Sequence, residues 1–193
     1  MPMSTTIAAE ITIRQASKAD IDALNQLETA CFDSDRISRR SFRWMIEKGH
    51  SLLLVAEADK QLVGYVLLLY SQGTSLGRVY SLAVDAAFRK AGIAQRLMAA
   101  AESMALEAGR SFLRLEVRPD NQRAISLYQK LGYQRFDIVS DFYEDHSDAL
   151  RMMKVLHHLP EVSHPAVAHY SQTTDFSCGP ACLMMAMKSF DPA

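Results

Sequence analysis

One tryptophan, three cysteines, six prolines and eight glycines are spread through the 193 residues. Three cysteines, Cys31, Cys178 and Cys182, cannot build a disulfide framework, so the fold has to rest on its apolar core. Charge of one sign is missing as well. Twenty-one Lys and Arg against 22 Asp and Glu leave a net charge of −1, which removes any global attraction to nucleic acid or an anionic membrane surface. No apolar run is long enough to span a bilayer. The opening "MPMSTTIAAEITI" lacks a basic stretch followed by an apolar one, as a secretory signal would have. The expectation is a cytoplasmic protein with neither nucleic acid nor membrane as partner, and the sequence assigns no oligomeric state. Internal repeats and low-complexity tracts are absent too. What remains is 49% hydrophobic and 22% charged, an ordinary globular composition, at a length suited to one domain with a proper core.

Periodicity divides that length. Residues 10–16, "EITIRQA", alternate as a half-buried strand does. Ser17 and Asp20 form a capping-box-like start for a helix whose apolar positions are Ile21, Leu24, Leu27 and Cys31. Ser38 caps a second short helix through Phe42, Met45 and Ile46, stopped by Gly49. "SLLLVAE" and "QLVGYVLLLYS" flank the turn "ADK" as a hairpin, and "GRVYSLAVD" is a further strand. A helix over about 92–108 presents Ile93, Leu97, Ala101, Met104, Ala105 and Ala108 on one face, with Gly109 at its end. "FLRLEVR" is the next strand, and a right-handed crossover makes strands 77–84 and 112–118 parallel. A helix over 121–132 turns Ala124, Ile125, Leu127, Tyr128 and Leu131 inward, and "YQRFDIVSDFY" and "DALRMMKVL" close the domain as two strands. The order β-α-α-β-β-β-α-β-α-β-β predicts a three-layer α/β domain over residues 10–157, with one mixed sheet between helices. Residues 158–170 read as a linker, with prolines, histidines and little periodicity, and 171–193 as a separate segment.

Between the strand ending near Val84 and the helix beginning near Gly92 lies "RKAGIA". Gly92 lets the backbone approach an anion, and successive N–H groups from Lys90 to Gln95 form a nest for one. No Gly-Lys-Ser/Thr follows, so this is not a triphosphate loop, and it lacks the spacing of a dinucleotide site. A strand-to-helix turn with a crowding-relief glycine would look the same. The second motif is "LEVRPDNQRAISLYQKLGYQ", residues 115–134, which joins a strand-end glutamate, an asparagine opening a helix and Ala-Ile-x-Leu-Tyr-x-x-x-Gly-Tyr.

Together with "SLAVDAAFRKAGIA", this motif resembles the GNAT superfamily of acetyl-CoA-dependent N-acetyltransferases. Within it the chain is most similar to bacterial enzymes that acetylate the N-terminal alanine of a ribosomal protein, through "FYEDHSDALRMMKVL" as well. The resemblance implies a GNAT fold with a mostly antiparallel seven-stranded sheet, and acetyl-CoA as co-substrate without a metal. It implies that Lys90, Ala91, Gly92, Ile93, Ala94 and Gln95 bind the pyrophosphate through backbone amides. Leu82, Ala83 and Val84 would pair with the pantetheine arm, and Asn121 would also touch the cofactor. The two parallel strands should then splay apart, with a bulge in the first.

The same resemblance makes Glu116 a general base acting through water and Tyr128 the general acid for the departing thiolate. An α-amine titrates near 8 and a lysine amine near 10.4, so deprotonating lysine costs about 3 kcal/mol more. That favours a protein or peptide N-terminus as acceptor, with a small-molecule amine, or a non-catalytic acyl-CoA-binding module, as alternatives. Glu116 also reads as a carboxylate paired with Arg114 or Arg118, and Tyr128 as core packing. Arg36, Arg39, Arg40 and Arg43 read either as a preference for an acidic peptide or as a solvated helix face.

Residues 170–187, "YSQTTDFSCGPACLMMAM", resemble the opening of papain-like cysteine peptidases of the bacteriocin-leader type. That likeness implies Gln172 at an oxyanion hole and Cys178 as nucleophile at a helix N-terminus. Only 15 residues follow Cys178, so a complete peptidase is not expected here. A metal site of Cys178, Cys182 and His169 would lack a fourth ligand at recognisable spacing.

Overall fold

The structure, a computed structural model, describes residues 10–156 apart from residue 49. The chain divides into two units, Met1–His157 and His158–Ala193, and all the described residues belong to the first. Gly49, Gln172, Cys178, Cys182, His169 and the linker lie outside the described residues.

β1 (Ile11–Gln15) leads into a short 3-10 turn and α1 (Ile21–Cys31). The expected cap is present: the Ser17 N–H donates to Asp20 Oδ2 at 2.7 Å, and its hydroxyl donates to the same oxygen at 3.0 Å. α2 (Arg39–Lys48) starts where the Ser41 N–H donates to Ser38 Oγ at 3.1 Å. β2 (Ser51–Ala58) and β3 (Gln61–Tyr70) form the hairpin. Its two turn residues, Asp59 and Lys60, both have positive φ (48° and 68°), which matches the right-handed twist of the flanking strands.

β4 (Leu76–Val84), α3 (Ile93–Glu107) and β5 (Phe112–Val117) make the crossover, followed by α4 (Gln122–Lys130), β6 (Gln134–Val139) and β7 (Ala149–Val155). The seven strands run in the order β1-β2-β3-β4-β5-β7-β6. Every neighbouring pair is antiparallel except β4 and β5. The element order and sheet are those the sequence predicts.

Two buried clusters lie on the two faces of the sheet. One joins Ile93, Leu97, Met98, Ala101 and Ala105 of α3 and Ile125 and Tyr128 of α4 to Val66, Leu68, Leu113, Leu115 and Val117. Burying a leucine such as Leu97, which has no exposed surface, is worth about 1.5–3 kcal/mol. The other joins Leu24 and Leu27 of α1 and Phe42 of α2 to Leu53, Val55, Tyr65 and Leu67. Successive side chains on a strand point to opposite faces, so Leu113, Leu115 and Val117 face α3 while Arg114 and Glu116 face the other way.

Three details differ from the sequence reading. β6 stops at Val139 rather than running on to Tyr143, because Asp141 and His146 take left-handed conformations that turn the chain into a loop. Ala108 is exposed, since it caps α3 rather than continuing its inward stripe, and Met98 is buried in its stead. Leu127 is only half-buried because it borders an open cleft.

Candidate active site

The split between the parallel strands sets the site. β4 and β5 pair only from Leu76 with Phe112 to Val79 with Leu115. Beyond that point β5 keeps its partner β7 and β4 keeps β3, while their facing edges separate. Tyr80 is the extra residue of a bulge, because Leu68 pairs with Val79 and Leu67 with Ser81. A bulge bends the strand and increases its twist. The expected splay and bulge are therefore both in the structure.

The cleft that opens there has a volume of about 640 Å³, and Leu82, Ala83 and Val84 line it on the β4 side. At its other end lies the turn into α3. Lys90 and Gly92 have φ of 78° and 74°, the left-handed conformations that aim successive amides into a concave nest. The first helical bond of α3 runs from the Arg96 N–H to Gly92 O at 3.0 Å. The amides of Ile93, Ala94 and Gln95 precede it and have no intrahelical acceptor.

A Cβ on Gly92 would meet nothing within 4 Å, so it is the positive φ and not crowding that favours glycine there, and the nest is left open. Arg89, Lys90, Arg123 and Lys130 add four cations to the lining. Free amides, a helix N-terminus and cations suit a diphosphate. The vacant β4 edge suits a ligand that carries amides of its own.

Of the residues expected to hold the cofactor, Leu82, Ala83, Val84, Lys90, Gly92, Ile93, Ala94, Gln95 and Asn121 line this cleft; Ala91 sits in the turn without lining it. Asn121 also caps α4, its Oδ1 accepting from the Ala124 N–H at 3.1 Å. Tyr128 lines the same cleft. Burial raises its phenol above the ordinary tyrosine range, with a smaller contribution from Tyr143, so it stays protonated. Cys31, read from the sequence as a helix-face residue, lines the cleft as well, with its thiol 3.7 Å from Val84 O and pushed up by burial.

Glu116 is not on this lining. It faces the opposite side of the sheet, with its side chain 3% exposed. Arg78 Nε donates to Oε2 at 2.7 Å, Arg151 Nε donates to Oε1 at 3.1 Å, and Arg114 Nε lies 3.3 Å from Oε1. The expected partner Arg114 is thus present, whereas Arg118 is not a partner. Arg118 donates to Asp145 at 2.7 Å and Ser147 at 2.6 Å, and its other nitrogen lies 3.5 Å from Asp35. The sequence reading missed Arg78 and Arg151, whose only signal was a charge inside an otherwise largely apolar strand. Arg36, Arg39, Arg40 and Arg43 are exposed and outside the cleft; Arg39 pairs with Asp22, and Arg36 donates to Asp33 O at 3.1 Å.

Comparison with known proteins agrees with this geometry. Residues 14–156 match the model of the acetyltransferase (GNAT) domain family, and the chain belongs to that family. Residues 167–193 match a Peptidase_C39 like family. An N-terminal acetyltransferase A complex catalytic subunit of Arabidopsis thaliana is 32% identical over 76% of this chain and 78% of its own. A putative [ribosomal protein bS18]-alanine N-acetyltransferase of Bacillus subtilis is 28% identical over 72% of this chain and 92% of its own. An uncharacterized protein of Mycobacterium leprae is 31% identical, but this chain spans only 37% of its length. The crystal structure of Ard1 from Thermoplasma volcanium superposes with a TM-score of 0.67 at 27% identity, covering 75% of this chain and 97% of that one. The domain is an acetyl-CoA-dependent acetyltransferase, and the cleft between β4 and β5 fits that co-substrate.

Proposed function

We propose that this domain acetylates the N-terminal α-amine of a protein or peptide, with Tyr128 and Glu116 on the two sides of the reacting atoms. The observation that carries the reading is the split past Val79 and Leu115, which opens the sheet to a thioester from the α3 side and an amine from the other. The names of the Arabidopsis and Bacillus relatives support an N-terminal acceptor.

The chain's own residues have three tasks. The amides of Lys90 to Gln95 hold the diphosphate, and the β4 edge at Leu82 to Val84 aligns the arm, with Asn121 beside it. Acetyl-CoA supplies the activated acyl group. As the amine nitrogen bonds to the acyl carbon and the carbon–sulfur bond breaks, the Tyr128 hydroxyl donates to the sulfur. Because burial holds the phenol's affinity for its proton high, the donation is chiefly a hydrogen bond to the developing charge. Glu116 takes the amine's proton through a water. Each of its oxygens accepts from one guanidinium and keeps a second lone pair for that water.

A peptide α-amine is already about one-tenth free base at pH 7, so a modest proton acceptor suffices, whereas a lysine amine would demand far more. The name of the Bacillus relative makes an N-terminal alanine one of the peptides the acceptor panel includes. The match at residues 167–193 supports reading Gln172 and Cys178 as the start of a peptidase-like segment and peptide processing as a setting.

The test is coenzyme A release from acetyl-CoA with a panel of free N-terminal peptides and, separately, diamines. Turnover of peptides that falls at least about a hundredfold in Glu116→Gln and Tyr128→Phe is expected. Turnover of diamines alone would overturn the reading.

A further inference from the structure

We propose that the acceptor carries a carboxylate next to its reactive amine, as an N-terminal Asp or Glu does, and that Arg78, Arg114 and Arg151 hold it. The proposal rests on the N-terminal acceptor read above and specifies its chemistry.

Arg78 and Arg114 are register partners on β4 and β5, one step before the last pair at the mouth of the split. Arg151 lies across from Glu116 on β7. All three guanidiniums stand on the face turned away from α3, with side chains 32%, 29% and 25% exposed. They are therefore remote from the phosphate nest but within reach of an acceptor entering the split from that side. A strand advances about 3.4 Å per residue, so the cluster begins within a residue or two of the gap.

The charges there do not cancel. Three guanidiniums face two carboxylates: Glu116, shared by all three, and Asp137, 3.2 Å from Arg151 Nη1. Arg114 is the one left wanting. Its Nε is buried with no hydrogen-bond partner, because its approach to Glu116 is not aligned for donation. Neighbouring Arg118 is different, already committed to Asp145, Ser147 and Asp35. The aromatic rings of Tyr80 and Phe142 stand 5.3 and 5.9 Å from the Arg78 guanidinium. Such rings thin the water around a cation and strengthen its pull on an anion. A planar carboxylate matches the guanidinium fork, so it meets the accessible part of the 29%-exposed Arg114 side chain and offsets the surplus positive charge of the three guanidiniums.

Peptides that differ only in their first residue (Asp, Glu, Ala, Ser or Lys) test this by coenzyme A release. Acidic first residues should exceed Ala and Ser by about tenfold in kcat/KM, mostly through KM, with Lys poorest. Arg114→Gln should bring the acidic-to-neutral ratio to about one, Arg114→Lys should keep part of it, and raising salt from about 0.15 to 0.5 M should shrink it. Ala and Ser peptides turning over as well as Asp and Glu in the wild-type chain would overturn the acidic acceptor and leave N-terminal acetylation standing. Acetylation of diamines with no peptide turned over would overturn both.

Discussion

Val79 and Leu115 are the last residues that β4 and β5 set side by side. Up to that pair the sheet is closed, and past it two parallel strands run on with their facing edges free. An unpaired strand edge is a row of donors and acceptors in search of a partner. Here the row from Leu82 to Val84 faces a cleft that ends at the amides of α3. The position of that last pair decides where the cleft opens.

Tyr128 is the side chain whose loss should separate binding from chemistry. Tyr128→Phe keeps the ring that packs 5.8 Å from Tyr133 and removes only the hydroxyl. The expected outcome is kcat lowered by about 10²-fold, with acetyl-CoA affinity and melting temperature nearly unchanged. Steady-state kinetics beside calorimetric binding reads this directly.

Gly92 should separate them in the other direction. An L-residue at its φ of 74° costs about 1–2 kcal/mol, and nothing nearby would clash with the added methyl. Gly92→Ala should lower stability by about 1 kcal/mol and weaken acetyl-CoA binding as the nest relaxes. Calorimetric titration and thermal melts check the two effects.

Asp20 makes the fold acid-sensitive. Its hydrogen bond from Arg14, with help from Ser17, holds the carboxyl down at about 2. A carboxyl whose folded value lies below its unfolded value of about 3.9 contributes stability above that unfolded value, and loses it as pH falls through about 2. Asp20→Asn should cost about 1 kcal/mol at neutral pH, as helix caps do. It should also flatten the fall in stability between about pH 4 and 2, followed by urea melts across that range.

Arg118 ties the loop between β6 and β7 to the end of β5 through Asp145 and Ser147, and reaches Asp35 between α1 and α2. Its guanidinium also covers the Tyr143 ring at 4.0 Å. Arg118→Ala should speed hydrogen exchange in residues 140–148 and raise KM for the acceptor several-fold, while acetyl-CoA affinity holds. Exchange mass spectrometry and two-substrate kinetics test it.

Much of this was legible along the chain. The strand read in "FLRLEVR" is β5, whose alternation sets Leu113 and Leu115 on one face and Glu116 on the other. Helical spacing placed Ile93, Leu97, Ala101 and Ala105 in the core, and Gly92 and Gly109 took the left-handed conformations that open and end α3. These features are local, since each depends on residues within a turn or two.

The surroundings of Glu116 were not legible. Arg78 and Arg151 lie 38 and 35 residues away, and only the register of β4 and β7 against β5 brings them to one carboxylate. Arg118, two residues from Glu116, looked the nearer partner but lies past the end of β5, where the side chains no longer share a face. The sequence by itself determined the elements, most of their inward faces and the glycine turn into α3, because periodicity and glycine conformation act over a few residues. Tertiary structure alone decided where the parallel strands part and which guanidiniums meet at the gap, because strand pairing joins residues that the chain holds far apart.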